Sequence, residues 1–388
     1  MKKMKVLLCG YYGGGNFGDE ALLAAIAKCL KIADSRVQIT ALSGDVDYTT
    51  KRHHINAIAW PHFGNARLFR LIPYLNSAIK KQDIVIIGGG QLLQDNLSWK
   101  NIGIYMLISS LAKMQDKKVV FLGIGSEPVK SRLTQFILRH TARNVDYIVT
   151  RDEASANALK KMIRTEDIAT GSDFVLNLVQ KRKEKLQHGK MSIGFNLREY
   201  NFPPEKLEEV IKFTNKIAKR HNLFLLATED DSLILQKILE KDRGRGIKIV
   251  DFEDHNDYLK FLRKLDVVVS MRLHFLIVSV AYGNRCIGLS YDPKVESFCK
   301  NFQQPYLKMA DVSESGLMGL LGKLKQEKVA GKIQDAAGSN MRNVRHALKM
   351  ERRHVGILTR MDFSMVILLI YCRFIWDLVK KLLKRVVA

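Results

Sequence analysis

VVVSMRLHFLIVSVAYGNRCIGLSYDPK, residues 267–294, decides the fold. Three valines and a serine form a short β-branched run that stops at Met271-Arg272-Leu273-His274. An apolar stretch of helical length follows to Tyr282, Gly283-Asn284 ends it, and a second apolar run covers Cys286–Tyr291. Strand, tight turn, helix and strand make one βαβ unit. Sheets built from such units bind ligands beyond the C-terminal ends of their strands. Arg272 and His274 stand at the first strand end, and Tyr291, Asp292 and Lys294 at the second. Arg and Lys suit an anion there, and His suits proton transfer. Singly each has a plainer reading: His274 as a packed or capping residue, Arg272 as half of a structural ion pair, Lys294 as a solvated charge. Their joint placement at two strand ends favours a site.

Working outward, the same alternation fills the chain. Met4–Gly10 reads as a buried strand that runs into Tyr11-Tyr12-Gly13-Gly14-Gly15-Asn16-Phe17-Gly18-Asp19-Glu20 and then an Ala/Leu-rich helix. This opening is Rossmann-like, and a helix N-terminus offers N–H groups to a polar ligand. The glycine spacing is not G-x-G-x-x-G and no G-K-[ST] follows, which excludes a P-loop. Asp19 and Glu20 fit the positive end of the helix dipole. They would also repel a phosphate, so the loop is expected to meet a sugar or to position a neighbour. Gly14 and Asn16 are its candidate contacts.

Asp83–Gly90 reads as a parallel strand ending in Gly88-Gly89-Gly90-Gln91, where small residues permit close backbone approach to a ligand. Lys118–Gly125 and Tyr147–Thr150 are further strands, the latter ending at Arg151; Lys51–Phe69 has no clear pattern. The charged, aperiodic Gln180–Lys190 reads as an interdomain linker. Met191–Leu197 then ends at Arg198, and a second set of alternating elements leads back to residues 267–294. The expected architecture is α/β: a Rossmann-like domain over 1–180, a linker at 181–190, a second Rossmann-like domain over 191–325 and a helical tail over 326–388. Two such doubly wound halves predict a cleft between them.

At 388 residues the chain exceeds what one core usually supports. Its five cysteines show no C-x-x-C or zinc-like spacing, so buried reduced thiols, a cytoplasmic protein and no metal are expected. The apolar start is too short for a signal peptide. The formal net charge of +24 admits nucleic acid, an anionic membrane or an anionic substrate. No nucleic-acid-binding motif is present.

In the tail, Phe363–Cys372 is intensely apolar but too short to span a bilayer. Beyond it, Phe374, Ile375, Leu378, Val379, Leu382, Leu383 and Val386 alternate with Lys380, Lys381, Lys384 and Arg385. Residues 362–388 are therefore expected to lie on an anionic membrane with Trp376 as anchor. The competing expectation is a helix packed on the N-terminal domain with a basic outer face.

Seven stretches in order, GYYGGGNFGDEALL (10–23), GGGQLLQD (88–95), FLGIGSEPV (121–129), TRDEAS (150–155), TGSDFVL (170–176), MRLHFLI (271–277) and SYDPKV (290–295), carry a family resemblance. The chain resembles the polysaccharide pyruvyl transferases, especially the CsaB type that modifies cell-surface polymers. Ser126 stands where a proline after GIG is usual, and Asn196-Leu197-Arg198 replaces S-x-R. The resemblance implies a B-type glycosyltransferase-like fold and transfer of pyruvate from phosphoenolpyruvate to a sugar diol, giving a cyclic ketal and phosphate. It implies catalytic roles for Arg151, His274 and Lys294, with Asp19 and Arg272 nearby. Phosphoenolpyruvate is the donor substrate, with no cofactor. The acceptor is expected to be a lipid-linked or polymeric saccharide such as an N-acetylhexosamine. Residues expected to contact substrate are Arg198, Arg272, Gly14, Asn16, Gly89, Gly90, Gln91, Tyr291 and Asp292. Oligomerisation is open.

One rival function is a glycosyltransferase using a nucleotide-sugar, for which Glu296 or Glu229 would meet the ribose, though neither follows a glycine-rich turn. Another is a non-catalytic polyanion-binding protein, which needs no imidazole at a sheet edge.

Overall fold

A computed structural model describes residues 3–61, 68–96, 98–178, 190–199, 203–228, 231–241, 246–252, 254–324 and 329–387. Side chains at 68, 69, 232, 358, 378, 379 and 381–387 are not described. Two compact units form: residues 1–14, 22–174 and 336–388 make the first, and 15–21 with 175–335 the second.

The elements of the first half are β1 (Lys5–Tyr12), α1 (Phe17–Ala33), β2 (Gln38–Ser43), α2 (Val46–His53), β3 (Asn56–Ala59), α3 (Leu68–Lys80) and β4 (Ile84–Gly88). They continue with α4 (Trp99–Met114), β5 (Lys118–Ile124), α5 (Arg132–Ala142), β6 (Tyr147–Thr150), α6 (Glu153–Ile163) and β7 (Ala169–Thr170). The sheet order is β3-β2-β1-β4-β5-β6-β7, with every pair parallel. Central strands β1, β4 and β5 are covered on both faces, which is why they read as unbroken apolar runs. Edge strand β3 is mostly half-exposed and was not legible in the unpatterned stretch 51–69.

The second half supplies β8 (Ser192–Asn196), α7 (Pro204–Ala218), β9 (Asn222–Leu226), α8 (Ser232–Glu240), β10 (Lys248–Val250), α9 (His255–Leu262) and β11 (Val267–Ser270). Then come α10 (Leu273–Ala281), β12 (Arg285–Ser290), α11 (Pro293–Asn301), β13 (Tyr306–Lys308) and α12 (Glu314–Lys323). The order β10-β9-β8-β11-β12-β13, again all parallel, repeats the first sheet's winding. In each sheet the order reverses beside the first strand, between β1 and β4 and between β8 and β11. Ligands bind open α/β sheets at that switch point. The expected fold, two Rossmann-like doubly wound domains with C-terminal helices, is what forms. The expected linker at 181–190, apart from Lys190, lies outside the described residues.

The tail is not an appendage. Helix α13 (Ala330–Lys349), from residue 336 on, and α14 (Ile357–Val387) belong to the first unit. In α13, buried Asn340 donates to Asp173 O at 3.3 Å and accepts from Ser172 N at 2.9 Å. The connection into α14 sits on a buried ion pair, Lys113 with Asp146 at 3.0 Å, and Lys113 Nζ also donates to Arg353 O at 2.9 Å. On α14, Val366, Ile370 and Phe374 join the core beneath α4 and α5. Trp99 Nε1 donates to Asp377 at 2.7 Å, and the Arg373 guanidinium lies 4.4 Å from a Trp99 ring centroid. The expected membrane face is thus corrected at Phe374, which is turned inward. Leu378, Val379, Leu382, Leu383, Val386, Lys381, Lys384 and Arg385 fall outside the described side chains.

Candidate functional site

The second unit gathers its chemistry at four neighbouring strand ends. Beyond β8 stands Arg198, beyond β9 Asp231, beyond β11 Arg272 and His274, and beyond β12 Tyr291, Asp292 and Lys294. Arg198 Nη1 donates to the Tyr291 hydroxyl at 3.1 Å. The Arg198 guanidinium and the Lys294 ammonium each lie 5.8 Å from the Tyr291 ring centroid. Two cations therefore share one aromatic residue, at a distance where the ring quadrupole attracts a positive charge.

Each of two cations is braced by an acid. Arg272 donates Nε and Nη2 to the two Asp231 oxygens, both at 2.7 Å. This bidentate geometry fixes the plane of the guanidinium and uses two of its five N–H donors. Asp231 is fully buried and also accepts from Asn196 Nδ2 at 3.0 Å and Thr228 Oγ1 at 2.6 Å. It occupies the cap position of α8 without capping it, because its carboxylate is turned to Arg272. Asp292 caps α11 through Lys294 N at 3.0 Å and pairs with Lys294 Nζ at 3.0 Å. The plain reading of Arg272 as half of an ion pair is thus true, and the pair sits at the strand end. Asp292, expected to bind substrate, spends its carboxylate on the helix cap and the lysine.

The start of α1 belongs to this same unit. Asn16 caps the helix, its Oδ1 accepting from Gly18 N at 2.9 Å. Phe17 stacks on Phe275 at 4.9 Å and tilts against Tyr258 at 5.3 Å. Burial pushes the Tyr258 phenol well above its usual range, so it remains a neutral packing and hydrogen-bonding group. The ring contacts bring Gly18 onto the His274 imidazole: a Cβ at residue 18 would overlap Nδ1. Glycine is required there because the ring occupies the space of a side chain. Asp19 lies in the first turn of α1, half-buried, and Asn16, expected to contact substrate, serves the cap.

The strand ends of the first unit are different. Gly89 and Gly90 both have positive φ, +72° and +85°, conformations that glycine adopts at little cost. Gly90 O accepts from Gly125 N at 2.8 Å. Arg151, 7% exposed, donates to Gln91 Oε1 and pairs with Asp152 at 3.2 Å. Gln91 in turn donates to Glu127 at 3.1 Å. Gly14 is exposed beside the Tyr11 ring.

Sequence reasoning missed Asp231, Asn196, Gly18 and Glu127. Gly18 had a signal in the glycine-rich run. Asp231 had only its place before a helix, a position usually explained by capping. Glu229, a ribose candidate of the rival reading, is outside the described residues.

Residues 16–293 match the family model for polysaccharide pyruvyl transferases. The chain belongs to that family. The polysaccharide pyruvyl transferase match runs from the cap of α1 to the first residue of α11, leaving out β1 and β13, and takes in the strand-end residues described above except Gly14 and Lys294. No curated protein sequence is significantly similar to the chain. Among solved structures, UDP-GlcNAc 2-epimerase from Methanocaldococcus jannaschii is similar with a TM-score of 0.63 and 12% identity over 90% of this chain and 100% of that one. The Neisseria meningitidis UDP-GlcNAc 2-epimerase bound to UDP-GlcNAc gives 0.59 and 12%, covering 89% and 99%. Anabaena HepE in complex with UDP and glucose gives 0.53 and 13%, covering 93% and 98%. At those identities the likeness is one of fold, the two-Rossmann-domain class that this pyruvyl transferase shares.

Proposed function

We propose that this transferase takes pyruvate from phosphoenolpyruvate and places it as a cyclic ketal on a saccharide diol, releasing phosphate. The observation that supports the reading is the set at the ends of β8, β11 and β12: Arg198 and Lys294 around Tyr291, Arg272 braced by Asp231, and His274 on the same edge. Phosphoenolpyruvate carries a phosphate and a carboxylate, so it needs several fixed cations. Guanidinium groups meet such oxyanions through paired N–H donors.

The chemistry divides into proton moves that balance. A proton adds to the methylene carbon of the enol ester, and one sugar hydroxyl bonds to C2 as it loses its own proton. The second hydroxyl displaces phosphate from C2 and closes the ring, and its proton leaves with the phosphate. His274 would handle one of these protons, since imidazole exchanges protons near neutrality. Arg198, Arg272 and Lys294 would stabilise the negative charge on the departing phosphate. Asp231 acts through Arg272 and is a positioning residue. Arg151, whose catalytic role is implied by the family resemblance, is held ready by Gln91 and Asp152. The proposed acceptor is a lipid-linked N-acetylhexosamine precursor of a cell-surface polymer, as in the CsaB type, handled on the cytoplasmic side.

The test is phosphate release from phosphoenolpyruvate with a lipid-linked N-acetylhexosamine acceptor, run beside a panel of UDP-sugars. His274→Ala should lower the rate by about 10²–10⁴-fold, the range for loss of a general acid or base. Undiminished release by His274→Ala would remove the imidazole from the mechanism. Turnover of a UDP-sugar with no use of phosphoenolpyruvate would replace the reading with glycosyl transfer.

A further inference from the structure

Helix α14 has two apolar faces, and the core uses one. Phe363, Val366, Ile370 and Phe374 point into the first unit. On the opposite side Ile357, Met361, Met365, Leu368 and Trp376 are 80%, 64%, 40%, 59% and 58% exposed, with exposed Cys372 in the same row. Their spacings of three and four place them on one stripe of the helix, about 28 Å long at 1.5 Å per residue. So long an apolar row on a helix already packed into a core calls for an occupant.

We infer that this stripe is a lipid-docking surface, on which α14 lies flat against an anionic membrane. Charge selects that occupant over a second copy of the chain. Lys380 sits 5.1 Å from a Trp376 ring centroid at one end of the stripe. Exposed Lys130 and Arg132 open α5, where Arg373 anchors α14 through Ser131 and Thr134. On the other flank a groove of about 930 Å³ runs between α3, α4 and α14, lined by Ile72, Leu111, Met114 and Ile367 together with Lys80 and Lys117. The acids nearby are Asp362 at the stripe's edge, Asp95, whose carboxylate accepts from Lys130 N and Ser131 N at 3.1 Å, Asp116, which Arg360 already neutralises at 2.6 Å, and Asp377, which turns inward to Trp99. Cations beside an apolar row match anionic headgroups above acyl chains. Pairing two copies through the row would instead bring two such cationic rims, on chains of net charge +24, against each other. Among the described residues no helix is long and apolar enough to cross a membrane, which agrees with a helix in the plane of the surface. Truncating residues 362–388 would be a poor test, because it removes core residues with the stripe.

The inference concerns the surface alone, so neither donor nor acceptor enters its test. Full-length protein is sedimented with vesicles of phosphatidylcholine alone and of phosphatidylcholine with an equal part of phosphatidylglycerol. Wild type should partition at least about tenfold more strongly to the anionic vesicles, as expected for an apolar face aided by several cations. The double variant Met361→Glu/Leu368→Glu, and separately Trp376→Ser, should each lose most of that binding while keeping the wild-type thermal midpoint, since all three positions face outward. Equal binding by wild type and both variants would overturn the inference. So would light scattering that shows a wild-type dimer, monomeric in the double variant, with no vesicle binding by either.

Discussion

The two sheets share one winding order and part company at their strand ends. In the first unit the switch-point ends carry glycine backbone, and Arg151 is buried and held by Gln91 and Asp152. In the second they carry side-chain cations, each set by an acid or an aromatic ring. The winding fixes where a ligand can bind, and the residues just past each strand fix what it can be. Ordering Arg272 and Lys294 before any ligand arrives lowers the entropy lost on binding an anion. Their bracing acids also offset the like charges of the two cations.

Breaking the brace should have the largest effect. Asp231→Ala leaves Arg272 without its buried partner and should cost about 3–5 kcal/mol, the range for removing one half of a buried pair. The corresponding change in the first unit, Asp152→Ala, removes a partly exposed acid and the α6 cap at Ser155 N, and should cost about 1 kcal/mol. Chemical denaturation of both variants checks the contrast, and equal losses would mean that the two guanidinium groups are held alike.

Backbone substitutions sharpen the difference further. Gly18→Ala drives a methyl into the His274 ring, so turnover should fall about tenfold or more while stability drops by about 1–3 kcal/mol, typical of overpacking. Gly89→Ala meets no imidazole; its penalty is the positive φ, about 1–2 kcal/mol, with a tight approach of 3.1 Å to Leu22 Cβ added to it. Comparing turnover with the thermal midpoint for each variant separates a displaced imidazole from simple strain.

The sequence made residues 267–294 readable because buried parallel strands are continuous apolar runs with abrupt stops. It hid β3, Asn56–Ala59, because a short half-exposed edge strand carries no such run. Asp231 was invisible because it stands 41 residues from Arg272 and occupies a helix-cap position for which capping is the ordinary explanation. The tail misled for another reason. Phe363–Cys372 is apolar nearly all the way round, so composition cannot say which side meets the core. Phe374 went inward because Trp99 and α4 offered it a seat, their rings 4.7 Å apart.

Thiols give the smallest effect, and one that should erase the contrast. Cys9 and Cys29 in the first unit and Cys286 and Cys299 in the second are all buried, with Cys29 and Cys299 pushed up to about 12 by burial. Alkylation of native protein at pH 8 should modify Cys372 alone. Because the folded values lie above the ordinary thiol value of about 8.5, stability is full below that pH and declines as pH rises toward 12, in both units. Rapid labelling of any of the four buried thiols at pH 8 would show that its unit opens readily.

In the proposed function the second unit's strand ends grip a small double anion. Calorimetric titration of phosphoenolpyruvate into wild type and into the double variant Arg198→Met/Lys294→Met tests that directly. Losing two charge-assisted contacts should weaken binding by at least about 100-fold. Affinity unchanged from wild type would contradict the assignment of phosphoenolpyruvate to this edge of the sheet.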